Sequence, residues 1–322
     1  MLIISNKNIK RSLFFIAIIL FSSTLASGET GWERGAPIPR GRTEVAVAAL
    51  DGKVYLIGGF TITGVTRRVE MYDPAADRWT QRAPLPVALH HAGAGAVKGK
   101  LYVVGGFEGF FSWKPSRALW AYDPKTDRWE AKREMPTARG ALAVGVWDGR
   151  LYAVGGLGES PEGKANVDAN EVYDPPTDRW EEKGPLPKAR DHLAVAVVGG
   201  KIHAIGGRLN SAFSQNLAHH DVYDPKSDRW SSAAPLPKPR SGIAAAVLDG
   251  KIFVFGGEAP EGTFSDNDAY DPDADRWQSA PSLPTARHGL GAATVLNKIY
   301  VIAGGPRPGG SLSKVNEVFR LN

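Results

Sequence analysis

The chain has 322 residues, a formal net charge of +5, 23% charged and 43% hydrophobic residues, and no cysteine. That length buries a sizeable core without covalent staples, and the missing cysteine excludes both a disulfide scaffold and a lipoprotein anchored through a lipidated cysteine.

Lys7, Lys10 and Arg11 open the chain without an acid among them, "SLFFIAIILFSSTL" (12–25) is apolar, and Ala26, Ser27 and Gly28 are small. This pattern predicts an export signal over residues 1–27, with cleavage between 26 and 28. The apolar run falls short of the ~20 residues needed to span a bilayer, so no stable membrane span is expected after cleavage. The segment carries three of the positive charges, leaving 5 − 3 = +2 on residues beyond it. No continuous basic run remains, and nucleic acid is not an expected partner. Asn210 is followed by Ser211 and Ala212, and no Asn-x-Ser/Thr acceptor occurs elsewhere. Together these features predict a periplasmic or secreted bacterial protein with a single domain over 28–322.

The rest of the chain is periodic, which points to a repeat architecture. "EMYDPAADRW" (70–79) returns as "WAYDPKTDRW" (120–129), "EVYDPPTDRW" (171–180), "DVYDPKSDRW" (221–230) and "DAYDPDADRW" (268–277). Glycine pairs keep the same time, beginning at 58, 105, 155, 206, 256 and 304. Each pair ends a strand-like run that follows a turn such as Asp51-Gly52 or Asp249-Gly250, and Asp-Gly between apolar runs is a strong hairpin signal. One period reads as four strands: a, a small-residue run such as "VAVAAL" (45–50); b, ending at the glycines; c, ending at Tyr-Asp-Pro; and d, starting at Asp-Arg-Trp. No sustained 3.6-residue period predicts a helix.

Short antiparallel strands repeated six times predict an all-β, six-bladed β-propeller, an architecture that protects its sheet edges by radial closure. Phe319 and Arg320 occupy the Tyr-Asp positions of a decamer that stops short, while "GWERGAPIP" (31–39) matches the repeat from its Trp onward. The segment around Trp32 is therefore expected to supply strand d of the last blade. Gly-Gly followed by Tyr-Asp-Pro and Trp at a period near fifty resembles the kelch repeat, which implies the same propeller.

Strand direction places the d-to-a and b-to-c loops on one variable face, where a ligand is expected. Arg42, Arg139, Arg190, Arg240 and Arg287 share one d-to-a loop position, filled in the second repeat by Leu89 before His90 and His91. A guanidinium ring suits a carboxylate or phosphate; alternatively, each arginine braces its own loop through backbone carbonyls. "FEGFFSWKPSR" (107–117) offers Phe110, Phe111 and Trp113 for stacking on a sugar or protein, or for folding back over its blade. The equivalent third-repeat loop (157–170) is polar and expected to be mobile, and Arg208 begins the fourth.

His90, His91, His192 and His288 lie on this face, but adjacent histidines in extended chain diverge and the ring separates the rest, so neither metal nor cofactor is expected. Some kelch-like propellers resemble galactose oxidase, a copper enzyme using a cysteine-linked tyrosine; a chain without cysteine lacks that chemistry. No Gly-x-Ser-x-Gly, His-Glu-x-x-His or phosphate-loop motif is present. The expectation is a non-enzymatic module recognising an envelope protein or a glycan. The alternative resembles periplasmic kelch mutarotases acting on an acidic sugar such as sialic acid, with the arginines on its carboxylate and a histidine or Glu44 moving the anomeric proton.

Overall fold

The computed structural model describes residues 31–321; the expected export signal lies outside them. Among the described residues there are six four-stranded antiparallel sheets and no helix, the arrangement of a six-bladed propeller. The first blade runs from the axis outward through Ala46–Leu50 (a), Lys53–Ile57 (b), Val69–Asp73 (c) and Arg78–Arg82 (d). The next four blades repeat this order. The sixth takes Gly291–Val295, Lys298–Ile302 and Asn316–Arg320 from the end of the chain and Gly31–Arg34 as its outer strand, with Trp32 opposite Phe319.

Backbone stereochemistry explains the repeated glycines. Asp51 and Gly52 turn strand a into b with φ of 49° and 71°, the left-handed pair that a two-residue hairpin requires. Gly58 and Gly59 end strand b at φ of 60° and 92°, and a Cβ on Gly58 would stand 2.5 Å from Leu89 O. In the sixth blade the marker slides by one residue. Ala303 and Gly304 take φ of 61° and 93°, and Ala303 N donates to Val315 O as Gly58 N does to Arg68 O. The sixth pair therefore begins at 303 and not at 304: its first member is an alanine, held left-handed by that bond.

The core is distributed between the blades. Tyr72, Val54 and Leu56 of the first blade pack with Tyr300 and Ile302 of the sixth, and comparable clusters fill the other wedges. Near the axis the blades crowd so closely that a Cβ on Gly93 would stand 2.3 Å from Val144 of the next blade. This accounts for the small-residue composition of strand a.

The decamer is an inter-blade clamp. Tyr173 Oη donates to Asp178 Oδ1 at 2.7 Å, and the same oxygen accepts from Arg133 N of the preceding blade at 2.9 Å. Trp180 Nε1 donates to Arg133 O at 2.8 Å. The pattern recurs with Tyr72, Asp77 and Trp79, and with Tyr223, Asp228 and Trp230. At the seam, Trp32 Nε1 reaches Pro281 O at 3.0 Å.

The b-to-c loops are more ordered than their composition implied. Leu157–Ser160 pairs with Gly163–Asn166, so the polar third loop contains a β-ribbon. Phe107–Glu108 likewise pairs with Lys114–Pro115.

Candidate functional site at the propeller axis

The arginines are not a ligand ring. Arg42, Arg139, Arg190, Arg240 and Arg287 are all 0% exposed. Arg139 Nη1 donates to Glu171 Oε2 at 2.6 Å and Nη2 to Ala153 O at 2.9 Å. Arg190 pairs with Asp221 at 2.9 Å and Arg287 with Glu317 at 2.5 Å, while Arg42 pairs with Glu70 and Arg240 with Asp268. Each arginine thus ties its d-to-a loop to strands b and c of its own blade. The expectation of a carboxylate-binding ring is corrected on this ground: these guanidiniums already have buried counterions and carbonyls. The second blade replaces the pair as a unit, with Leu89 at the arginine position and Trp120 at the acid position.

The second residue after each arginine, and after Leu89 in the second blade, reaches the axis. Glu44, His91, Ala141, His192, Gly242 and Gly289 take φ between 52° and 65°. They close a ring of backbone hydrogen bonds in which each N–H donates to the carbonyl of the preceding blade: His91 to Glu44 at 3.0 Å, Ala141 to His91 at 2.9 Å, His192 to Ala141 at 2.9 Å, Gly242 to His192 at 3.0 Å, Gly289 to Gly242 at 2.9 Å and Glu44 to Gly289 at 2.8 Å. Ala141, Gly242 and Gly289 leave room, and the larger side chains gather above the ring.

Ligating atoms of Glu44, His91 and His192 all lie within 4.8 Å of one another. Residues far apart in sequence converge because the ring is narrow at its axis, so the expectation that distance separates the histidines is corrected. His90 and His91 do not diverge either. His91 is left-handed at φ 54°, and the two Nδ1 atoms sit 2.5 Å apart.

Glu44 is the hub. Its carboxylate lies 3.0 Å from His91 Nε2 and 3.4 Å from His288 Nε2. Burial opposes its ionisation, yet His91, then His288 and His192, when they are protonated, hold the carboxyl well below the usual carboxylate range. Burial, with Arg208 nearby, pulls His192 down to about 4 despite its contact with Asp191. Burial and then His91 bring His90 down to about 2.

Above this floor is a cavity of about 200 Å³ with a mixed lining. Phe60, Trp113 and Phe213 are its aromatic members, with Trp113 4.8 Å from the His91 ring and the Phe213 ring 5.8 Å from the Arg208 guanidinium. Glu44, His91, Arg208, Glu258 and His288 are among its charged and polar members. Arg208 Nη1 donates to Glu258 Oε1 at 2.6 Å, and its Nε is 3.5 Å from Asp191 Oδ1. Of the residues singled out in the sequence, His91, His288, Trp113 and Arg208 therefore meet here, with His192 next to them, a ligating atom within 4.8 Å of those of Glu44 and His91. His90 stacks beneath, 4.1 Å from Phe60. Phe110 and Phe111 stay on the rim, 49% and 93% exposed, while Phe107 folds back and is buried.

Phe60, Asp191 and Glu258 were missed. Their signal was positional: Asp191 follows a repeated arginine, and Phe60 and Glu258 follow a repeated glycine pair. A larger groove of about 790 Å³ lies over Trp120 between blades two and three, but of its charged members, Lys114, Arg117, Glu134 and Glu159 are exposed and Glu108 is half-buried.

Residues 143–322 match the family described as the KLHDC2/KLHL20/DRC7 Kelch-repeats domain, and residues 41–86 and 88–136 match the Kelch motif. No curated protein matches the chain. A solved structure titled "Structure of YjhT" superposes with a TM-score of 0.75 at 18% identity, covering 89% of this chain and 97% of that one, a likeness of fold. With a clamp and a glycine pair in the first five units, a ring residue in all six, and a family match across more than half its length, the chain belongs to the kelch-repeat family.

Proposed function

We propose that the protein is an exported recognition module that binds a small ligand with polar and apolar faces, a sugar residue of an envelope glycan, in the axial cavity. The observation that carries this reading is the mixed lining of the cavity, aromatic rings interleaved with charged and polar groups. A pyranose presents C–H groups that stack on Trp113 and Phe60, and hydroxyls that pair with Arg208, Glu258 and His288. The volume, about 200 Å³, is below the roughly 300–1,000 Å³ of pockets for drug-sized ligands and favours a single sugar ring. A concave site of this kind argues for the glycan over a protein surface as partner. Export rests on the pattern of residues 1–27.

A second reading, mutarotation of that sugar, is favoured by one contact: Glu44 lies 3.0 Å from His91 Nε2 and 3.4 Å from His288 Nε2. A carboxylate flanked by imidazoles moves a proton between ring oxygen and anomeric hydroxyl. Because the five arginines are committed to their own blades, the carboxylate of an acidic sugar would have to meet Arg208 or a charged imidazole.

The test is a thermal-shift and calorimetric screen of neutral and acidic monosaccharides. Stabilisation by one sugar, lost in Trp113→Ala and kept in Phe111→Ala, supports the binding reading; a flat response to every sugar sinks it. Anomer exchange followed by NMR, abolished in Glu44→Gln, decides the second reading.

A further inference from the structure

Hydrogen-bond logic fixes the free end of each histidine around Glu44. Gly305 O lies 3.1 Å from His288 Nδ1; a carbonyl only accepts, so the proton is on Nδ1 and the neutral ring offers a lone pair at Nε2. The Asp191 carboxylate does the same for His192 Nδ1. His192 Nε2 is buried without a hydrogen-bond partner, on a residue 6% exposed. For His91 the chain is one link longer. Gly109 O, 3.2 Å from His90 Nε2, holds the His90 proton there. His90 Nδ1 then accepts from His91 Nδ1 at 2.5 Å, and His91 Nε2 is again the free end.

These lone pairs face carboxylates. His91 Nε2 is 3.0 Å from Glu44 Oε2, and His288 Nε2 is 3.4 Å from Glu44 Oε1 and 3.5 Å from Glu258 Oε2. A lone pair set against a carboxylate repels it, and a cation shared between them reverses the sign. Carboxylate or carbonyl partners behind metal-bound imidazoles orient ligands in this way.

We infer that Glu44, His91 and His192 form a site for a divalent first-row transition-metal ion, with His288 facing its open coordination position. Two imidazoles and one carboxylate with a vacant position make a ligand set of catalytic type, suited to zinc or iron. The donors, within 4.8 Å of one another, need to close by about an ångström to reach the ~2.0–2.1 Å bonds of zinc. Glu44 and His91 also line the 200 Å³ cavity, so an ion here forms its floor and presents its open side to a ligand hydroxyl. The inference rests on the axial cavity being the binding site.

The experiment is equilibrium dialysis of the chelator-stripped protein against Zn²⁺, with metal quantified per chain. One ion per chain is expected. Asp191→Asn should weaken binding about ten- to a hundred-fold, His192→Ala and Glu44→Gln by more, and His219→Ala, at an exposed histidine, not at all. Co²⁺ bound to the unmutated protein should show the strong visible absorption of a low-coordinate site, a readout independent of how the variants fold. Equal Zn²⁺ affinity in His192→Ala and the unmutated protein overturns the site, as does a weak, six-coordinate Co²⁺ spectrum. The sugar screen, run on stripped and loaded protein, separates the two readings. Sugar binding without Zn²⁺ uptake overturns the metal alone; Zn²⁺ uptake without a sugar response sustains the metal and overturns the sugar.

Discussion

Arg139 is 0% exposed, and so are its four counterparts. Removing one partner of a buried pair leaves an unpaired charge, a loss of about 3–5 kcal/mol, whereas replacing both by apolar groups is often near neutral. The protein contains its own precedent in the second blade, where Leu89 and Trp120 stand at these positions. Arg139→Leu is therefore expected to lower unfolding free energy by about 3–5 kcal/mol, and Arg139→Leu with Glu171→Met to recover most of it. Urea denaturation of the three proteins checks this, and a double variant no better than the single one refutes the pairing argument. The sequence displayed these arginines by their spacing but not their direction. An arginine at a loop position looks the same whether it faces a channel or its own blade, and only the buried acid two strands away settles which.

Between residue and blade, the unit of construction is the Tyr-Asp-Pro-x-x-Asp-Arg-Trp segment. Asp178, at φ 52°, accepts from Tyr173 within its blade and from Arg133 N of its neighbour. Tyr173→Phe should cost about 1 kcal/mol, the net worth of one hydrogen bond. Asp178→Ala should cost more, about 2 kcal/mol, because it removes the acceptor of two hydrogen bonds, from Tyr173 and from Arg133 N, and a left-handed turn residue. Chemical denaturation of both variants tests the order, and an Asp178→Ala no worse than Tyr173→Phe removes the clamp. Strands, turns and the decamer were legible because each recurs, and recurrence cancels local noise. The axial cluster was not, because it is built from the position at which the repeats differ: the six units place Glu44, His91, Ala141, His192, Gly242 and Gly289 there. Reading His90-His91 as extended chain also failed, since the ring of hydrogen bonds requires His91 to be left-handed.

Over the whole molecule, the blades form one ring whose last sheet takes strands from both ends of the described chain, so stability is set by the wedges between blades. One wedge is unusual. His203 stands where the other blades carry Tyr55, Tyr102, Tyr152, Phe253 and Tyr300, and His220 where three of them carry Asn170, Asn267 and Asn316. The two rings bond to each other, Nδ1 to Nε2, at 2.9 Å, and His220 Nδ1 donates to Ala234 O at 3.0 Å, the role Asn170 Nδ2 plays toward Gly184 O. Burial and then His220 pull His203 down to about 3. Burial pulls His220 down to about 4, against the Ala234 carbonyl and the charges of Asp275 and Asp221, with Arg190 assisting. An unfolded histidine titrates near 6.5, so as pH falls the unfolded chain takes up protons first and gains on the folded one. The contribution is complete above about pH 6.5 and is lost progressively until the folded pair protonates near pH 3–4. The clamp aspartates Asp77, Asp127, Asp178, Asp228 and Asp275, all held below the ordinary aspartate value, act later. Their contribution persists until pH falls through about 3.9 and below. Replacing the pair by the residues of the other blades, His203→Tyr with His220→Asn, should leave stability at pH 7.5 within about 1 kcal/mol and flatten its fall between pH 6.5 and 4.5 by roughly 2–4 kcal/mol. Urea midpoints at pH 7.5, 5.5 and 4.5 measure this directly, and parallel pH profiles for variant and unmutated protein would place the acid sensitivity elsewhere in the ring.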